Sequence, residues 1–104
     1  MKISYAIRKG MKNRPQCTGK LIKSDGSCCA LGALALGAGF KPSELRPNIG
    51  VYILLGQKFP VLNNYVHNPT NGIKSKLMNV IYTLNDNAKW SRRKISDWLQ
   101  KLGY

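Results

Sequence analysis

Few residues in this chain could carry nucleophilic chemistry, and they fall in a suggestive order. Cys28 and Cys29 stand side by side at the mouth of a small-residue run in "SDGSCCALGALALGAG", His67 is the only histidine, and Asn85 with Asp86 comes later. A thiol in the first turn of a helix meets free N–H groups and the positive end of the dipole, which lower its pKa and create a nucleophile. Cys, His and Asn then follow the chain order of papain-like proteases, although triads are defined by geometry and not by order. A cysteine-dependent hydrolase or transferase using Cys28 or Cys29 with His67 and Asn85 is therefore the alternative function. The leading reading of the cysteines is packing, since they are small and stand in for alanine in a buried "CCALGALAL" helix. Asn85 and Asp86, directly after Leu84, read as a corner that ends one helix and binds backbone amides before the next.

Metal chemistry finds little support. A zinc site from Cys17, Cys28, Cys29 and His67 would need both adjacent cysteines to reach one tetrahedral ion, and no Cys-x₂-Cys pair is present. Asp25, Glu44, Asp86 and Asp97 are the only carboxylates, too few for a two-metal nuclease. No catalytic residue, metal or cofactor is assigned, and enzymatic activity is not expected.

The elements that must position these groups are mostly helical. Residues 4–12, "SYAIRKGMK", predict a short helix with Ser4 as N-cap and Ile7 and Met11 on one face. Asn13, Arg14 and Pro15 break it, and "TGKLIKSDGS" reads as an extended piece with a Ser-Asp-Gly turn, a site for a small hairpin. Ser27 caps a helix running to Ala38 with Gly39 as its stop. That helix is apolar all round and hence buried, and Gly32 permits a neighbouring backbone to come close.

"KPSELRPNIG" gives a helical turn from Ser43 that Pro47 ends, and "VYILLG" (51–56) suits either a buried strand or a helix. "KFPVLNNYVHNPTNG" is rich in Asn and Pro and predicts a long adaptable loop. Ile73, Leu77, Val80, Ile81 and Leu84 then predict an amphipathic helix over about 71–84. After a connector at 85–90, Ser91 caps a last helix with Ile95, Trp98, Leu99 and Leu102 on its buried face. Together these predict a single domain over 1–104, mainly α, with four to five helices and a short β-hairpin; an α+β arrangement is the alternative.

Charge is the strongest compositional signal. With 17 Lys and Arg against 4 Asp and Glu, the net charge is +13, beyond the magnitude of about 2 to 8 that solubility alone asks of a small domain. Such self-repulsion points to an anionic partner. The cations gather at the two ends of the chain: Arg8, Lys9, Lys12 and Arg14 near the start, and Lys89, Arg92, Arg93 and Lys94 around Trp90 in "KWSRRK". Cations beside an aromatic face suit phosphates and stacked bases. Arg92, Arg93 and Lys94 occupy a first helical turn, where the macrodipole disfavours them, which asks for a use. A helix-turn-helix with Ser91–Leu102 as recognition helix has a connector longer than the usual three- or four-residue turn. No apolar run is long enough to span a membrane, and the opening residues lack the continuous apolar core of a signal peptide. A cytoplasmic protein is expected.

The stretches "DGSCCALGAL" and "VIYTLNDNAKWSRRKISDWL" resemble a family of small phage and actinobacterial proteins of unknown function. In that family a Gly turn leads into a Cys-rich small-residue helix, and an Asn-Asp pair precedes a Ser- or Thr-capped terminal helix. The likeness covers about residues 19–38 and 77–102 and departs from the family in its basic charge and Asn-rich middle. It implies a phage or mobile-element origin and carries no activity to transfer. The expected function is that of a small basic accessory protein that binds nucleic acid or a host nucleoprotein, for example as an inhibitor of a host defence machine such as a CRISPR effector. The expected contacts are Arg8, Lys9, Lys12, Arg14, Lys89, Trp90, Arg92, Arg93 and Lys94.

Overall fold

The computed structural model describes residues 1–46 and 50–104, so the role read for Pro47 lies outside the described residues. The architecture is mainly α with one short antiparallel hairpin. In chain order it runs α1 (Ile3–Gly10), α2 (Ala30–Gly37), α3 (Gly50–Lys58), β1 (Tyr65–His67), β2 (Lys74–Lys76), α4 (Leu77–Asp86) and α5 (Arg92–Lys101), with 3₁₀ turns at Pro42–Glu44 and Pro60–Asn63. No helix is long and apolar enough to cross a membrane among the described residues.

The core forms around α2. With Ala30, Leu31, Ala33, Leu34 and Ala35 all buried, this helix has no solvent face to speak of, as its unbroken apolar circumference requires. It packs along α1, which presents Ile3, Ala6, Ile7 and Gly10 inward, and α5 closes over α1 with Ile95 and Leu99. The contact between α1 and α2 is backbone to backbone. A Cβ on Gly10 would fall 1.8 Å from the Ala33 carbonyl oxygen, and one on Gly37 would fall 1.8 Å from that of Ala6. Gly32 does what its sequence position suggested, lying where a Cβ would meet the Leu21 carbonyl oxygen at 1.9 Å.

Several boundaries differ from expectation. Ser4 is not an N-cap: α1 begins one residue earlier, Ser4 is buried, its carbonyl accepts a bond from the Ser96 hydroxyl (3.1 Å) and its N–H donates to the Tyr104 carbonyl (3.3 Å). Ser27 does not cap α2 either, because its hydroxyl and N–H both donate to Asp25 (2.6 and 2.9 Å). Cys29 is the N-cap instead, its sulfur accepting from the Gly32 N–H at 3.4 Å. Cys28 lies outside the helix in extended chain, bridged on one side to Gln16 and on the other to Ile22. The stop at Gly39 holds: its φ is +103° and Phe40 N–H folds back to the Ala35 carbonyl at 3.0 Å.

The segment 18–27 makes a turn and isolated bridges, whereas the true hairpin lies further on, where a loop and the start of a helix were read. Tyr65 pairs with Lys76 and His67 with Lys74. Asn68 builds the turn, its Oδ1 accepting from the Thr70 N–H and hydroxyl and its carbonyl accepting from the Gly72 N–H. That local chemistry outweighs the helical spacing of Ile73, which is 64% exposed at the hairpin and not part of α4. The run 51–56 resolves as helix. At the far end, Ser91 caps α5 as expected, its Oγ accepting from the Lys94 N–H (3.0 Å), but only Ile95 and Leu99 of the expected face are buried; Trp98 is half-buried and Leu102 exposed.

Candidate functional site

The two quoted signatures meet in space. The start of α2, the last turn of α4, the start of α5 and the extended segment 14–20 converge on Asn85, which belongs to α4 rather than to the connector after it. Asn85 is 1% exposed and uses both ends of its amide. Its Oδ1 accepts from the Ala30 N–H (3.1 Å), one of the free N–H groups at the start of α2, and from Gln16 Nε2 (2.8 Å). Its Nδ2 donates to the Cys17 carbonyl (2.9 Å) and to Asp86 Oδ1 (2.7 Å), while Asp86 Oδ2 accepts the Gly19 N–H (2.8 Å). A buried amide with every group satisfied rigidifies the elements it joins.

Gln16 and Arg92 complete the network. Gln16 Nε2 also donates to the Trp90 carbonyl (2.8 Å), and its Oε1 accepts the Arg92 N–H (3.2 Å), which holds the entry to α5. The Arg92 guanidinium turns inward: Nη1 donates to the carbonyls of Pro15 and Cys28 (3.3 Å each) and to the Cys28 sulfur (3.1 Å), and Nη2 donates to the Arg14 carbonyl. This use of a planar, multi-donor head explains a cation placed against the macrodipole of α5. Arg14 in turn donates to the Gly26 carbonyl at 3.0 Å. Nothing in the sequence singled out Gln16; for Arg92, the unfavourable first-turn charge was the available sign.

The cysteine alternative lacks its parts in this geometry. Cys28 is fully buried, and desolvation pushes its thiol up despite the opposing charge and hydrogen bond of Arg92. Burial pushes Cys29 up to about 11, against the bonds from Gly32 and Leu31 N–H groups that favour the thiolate. His67 is exposed on β1, its Nδ1 3.1 Å from the Gly72 carbonyl oxygen, and Asn85 is committed to the network above. The structure thus brings Asn85 to the cysteine segment and sets His67 within its own hairpin. Among the described residues no group of three His, Cys, Asp or Glu is arranged to hold a metal ion.

The raised thiol has a measurable consequence. In the unfolded chain a cysteine ionises near pH 8.5 to 9, while folded Cys29 holds its proton to about 11. Below that unfolded value both states are protonated and nothing is lost; above it unfolding releases a proton, so stability falls as pH rises toward 11. The expected loss is about 1.4 kcal/mol per unit across that window. Urea titrations at pH 8 and pH 10.5 check it: Cys29→Ala should show a shallower alkaline fall than the parent, and equal slopes would contradict a buried, proton-holding thiol.

The expected basic contacts divide into two sets. Arg8 pairs with the exposed Asp97 (2.5 Å), and Arg14 and Arg92 are engaged with carbonyls, so these three arginines have partners within the fold. Lys9, Lys12, Lys89, Arg93 and Lys94 are exposed. Trp90 is half-buried, and the Lys94 ammonium sits 4.2 Å from its ring centroid, covering one face of the indole. Because α1 packs on α5 and Gln16 ties the segment after α1 to Trp90, the cations from opposite ends of the chain share neighbouring elements. Beside them opens a cleft of about 520 Å³ whose walls include Lys23, Lys89, Thr18, Ser91 and the acid Asp25. Comparison with protein-family models, with curated proteins and with solved structures gives no match to this chain.

Proposed function

We propose that the protein is a non-catalytic, polyanion-binding protein that takes nucleic acid, free or within a nucleoprotein, on the face carried by α1, α5 and the connector before α5. The observation that carries this reading is the fate of its acids. Of four carboxylates against 17 cations, Asp25 is held by Ser27, Glu44 by the Lys41 N–H, and Asp86 by Gly19 and Asn85; Arg8–Asp97 is the one ion pair among the described residues. The exposed lysines are therefore not neutralised from within, and phosphates release counterions when they pair with such groups.

The test is fluorescence anisotropy with labelled single- and double-stranded DNA and RNA across a salt series. The expected result is binding that weakens linearly in log affinity against log salt, by about 0.7 to 0.9 per phosphate contact. The variant Lys9→Glu, Lys12→Glu, Arg93→Glu, Lys94→Glu changes exposed positions only and should flatten that slope by several contacts while leaving the melting temperature near that of the parent. Arg92 is left out of the set because its removal would orphan several carbonyls and confuse unfolding with lost binding. No binding at low salt, or equal slopes for parent and variant, overturns the proposal.

A further inference from the structure

We propose that the outer face of the β1–β2 hairpin is a platform for single-stranded nucleic acid, where two successive unstacked bases lie on Tyr65 and His67 and Lys74 and Lys76 take the phosphates. The face follows from the register. Tyr65 opposes Lys76, His67 opposes Lys74, and residues two apart on a strand share a face, so all four side chains emerge together. All four are exposed, Tyr65 by 61%. Val66 and Ser75 between them are half-buried on the side of α4, where Asn79 Nδ2 donates to the Ser75 hydroxyl (3.4 Å). Asn68 N–H donates to the Ile73 carbonyl (2.9 Å) and Leu77 N–H to the Asn64 carbonyl (2.8 Å). That alternation makes the Tyr65–Lys76 and His67–Lys74 pairs the non-hydrogen-bonded ones, in which side chains come closest, so each ring stands beside a lysine.

Charge and spacing select the occupant. No acid stands between Glu44 and Asp86 in the chain, and the one ion pair among the described residues is Arg8–Asp97, so Lys74 and Lys76 keep their charge for an outside partner. The rings are set in advance. His67 Nδ1 donates to the Gly72 carbonyl (3.1 Å) and Asn68 fixes the turn through Thr70, which lowers the cost of ordering on binding. Tyr65 and His67 are two strand rises apart, about 7 Å. That is twice the roughly 3.4 Å step of a stacked duplex strand, so bases reach both rings only from a strand drawn out of its stack. An acidic peptide would meet the lysines but bring no bases to the rings, and a second copy would set one +13 charge against another. The platform rests on the reading that this protein takes nucleic acid. It adds what the α1 and α5 face lacks, since Trp90 there is half-buried with Lys94 over one side of its ring.

The experiment uses the full chain and four labelled probes of equal length: oligothymidylate DNA, oligouridylate RNA, an abasic strand that keeps the phosphates, and a duplex. At least one of the two base-bearing single strands is expected to bind more tightly than the abasic strand and the duplex. Tyr65→Ala and His67→Ala should each weaken that strand at least about fivefold and leave the abasic strand and the duplex unchanged. Tyr65→Phe keeps the ring and should bind as the parent does, which separates stacking from damage to the strand. The double variant Lys74→Glu, Lys76→Glu should flatten the salt dependence for the single strand by about two contacts. Equal affinity for abasic and base-bearing strands, tighter binding of the duplex, or a Tyr65→Ala protein that binds like the parent overturns the platform while leaving the polyanion reading in place. No binding of any probe at low salt overturns both.

Discussion

Replacing Gly10 or Gly37 with alanine should destabilise the protein by about 2 to 4 kcal/mol, lowering the melting temperature by roughly 10 to 20 °C. Helix propensity alone makes the opposite forecast, since alanine in place of a helical glycine is worth about 1 kcal/mol in its favour. The geometry decides the sign. A methyl on Gly10 would lie 1.8 Å from the Ala33 oxygen and one on Gly37 the same distance from the Ala6 oxygen, and both obstacles are backbone atoms in helices, not movable side-chain tips. Relief requires α1 and α2 to separate along their shared face, which loosens the burial of Ile3, Ile7 and Leu34 together.

Two further results would support this mechanism. The double variant should lose less than the sum of the singles, because the first methyl already opens the gap that the second needs. Lys9→Ala, on the exposed side of α1, should stay within about 0.5 kcal/mol of the parent. Thermal and urea unfolding of the four variants and the parent decides it, and a melting temperature that rises with Gly10→Ala would show that the helices do not meet at backbone distance.

These glycines illustrate which parts of the fold were legible in the sequence. The burial of α2, its stop at Gly39 and the cap at Ser91 rest on chemistry carried by a residue and its near neighbours and can be read locally, and Gly32 in an all-apolar helix marks a close approach without naming its partner. Gly10 and Gly37 have the same chemistry, but their partners are carbonyls on another helix, and one sequence does not name that partner. The hairpin was expected but misplaced, for a different reason. Its three-residue strands are too short to show alternation, and Asn68 and Gly72 were visible only as loop residues. The exposed side of α3 was illegible because an all-apolar run argues for burial whether or not the rest of the chain is large enough to cover it.

The site shows the same division. Asn85 and Asp86 were recognisable as a corner, and the bonds to Gly19 and Ala30 N–H groups are the backbone amides that reading called for, reached across the fold rather than in the next turn. Gln16 carried no sign because a glutamine after proline has many uses. Trp90 among lysines could be seen in advance; that Lys94 covers its ring, and that Arg92 is turned away from solvent, depends on the path of the connector.

Asn85→Ala should cost about 3 kcal/mol, because it strips the buried Cys17 carbonyl and Ala30 N–H of a partner at once, each orphan being worth about 1 to 3 kcal/mol. Asn85→Asp separates shape from hydrogen bonding. It preserves the volume and the accepting oxygen but sets a carboxylate where Nδ2 now donates, 2.9 Å from the Cys17 carbonyl oxygen and 2.7 Å from Asp86 Oδ1. Burial and the second carboxylate raise the introduced group's pKa in the folded state above its unfolded value of about 3.9. Its protonated form can still donate, so the variant's deficit should be smallest near pH 4 and deepen as pH rises toward 7, by up to about 1.4 kcal/mol per unit. Asn85→Ala has no such proton to lose, and its deficit should be flat over the same range. Urea midpoints of both variants against the parent at several pH values test this. A stable Asn85→Ala protein would mean that the corner is held by something else and that this amide is free for chemistry, which would return attention to Cys28 and Cys29. A pH-dependent deficit confined to Asn85→Asp would identify the Asn-Asp pair as the clamp that fixes the entrance of α5, and with it the spacing of Lys89, Arg93 and Lys94 on the face proposed to bind polyanions.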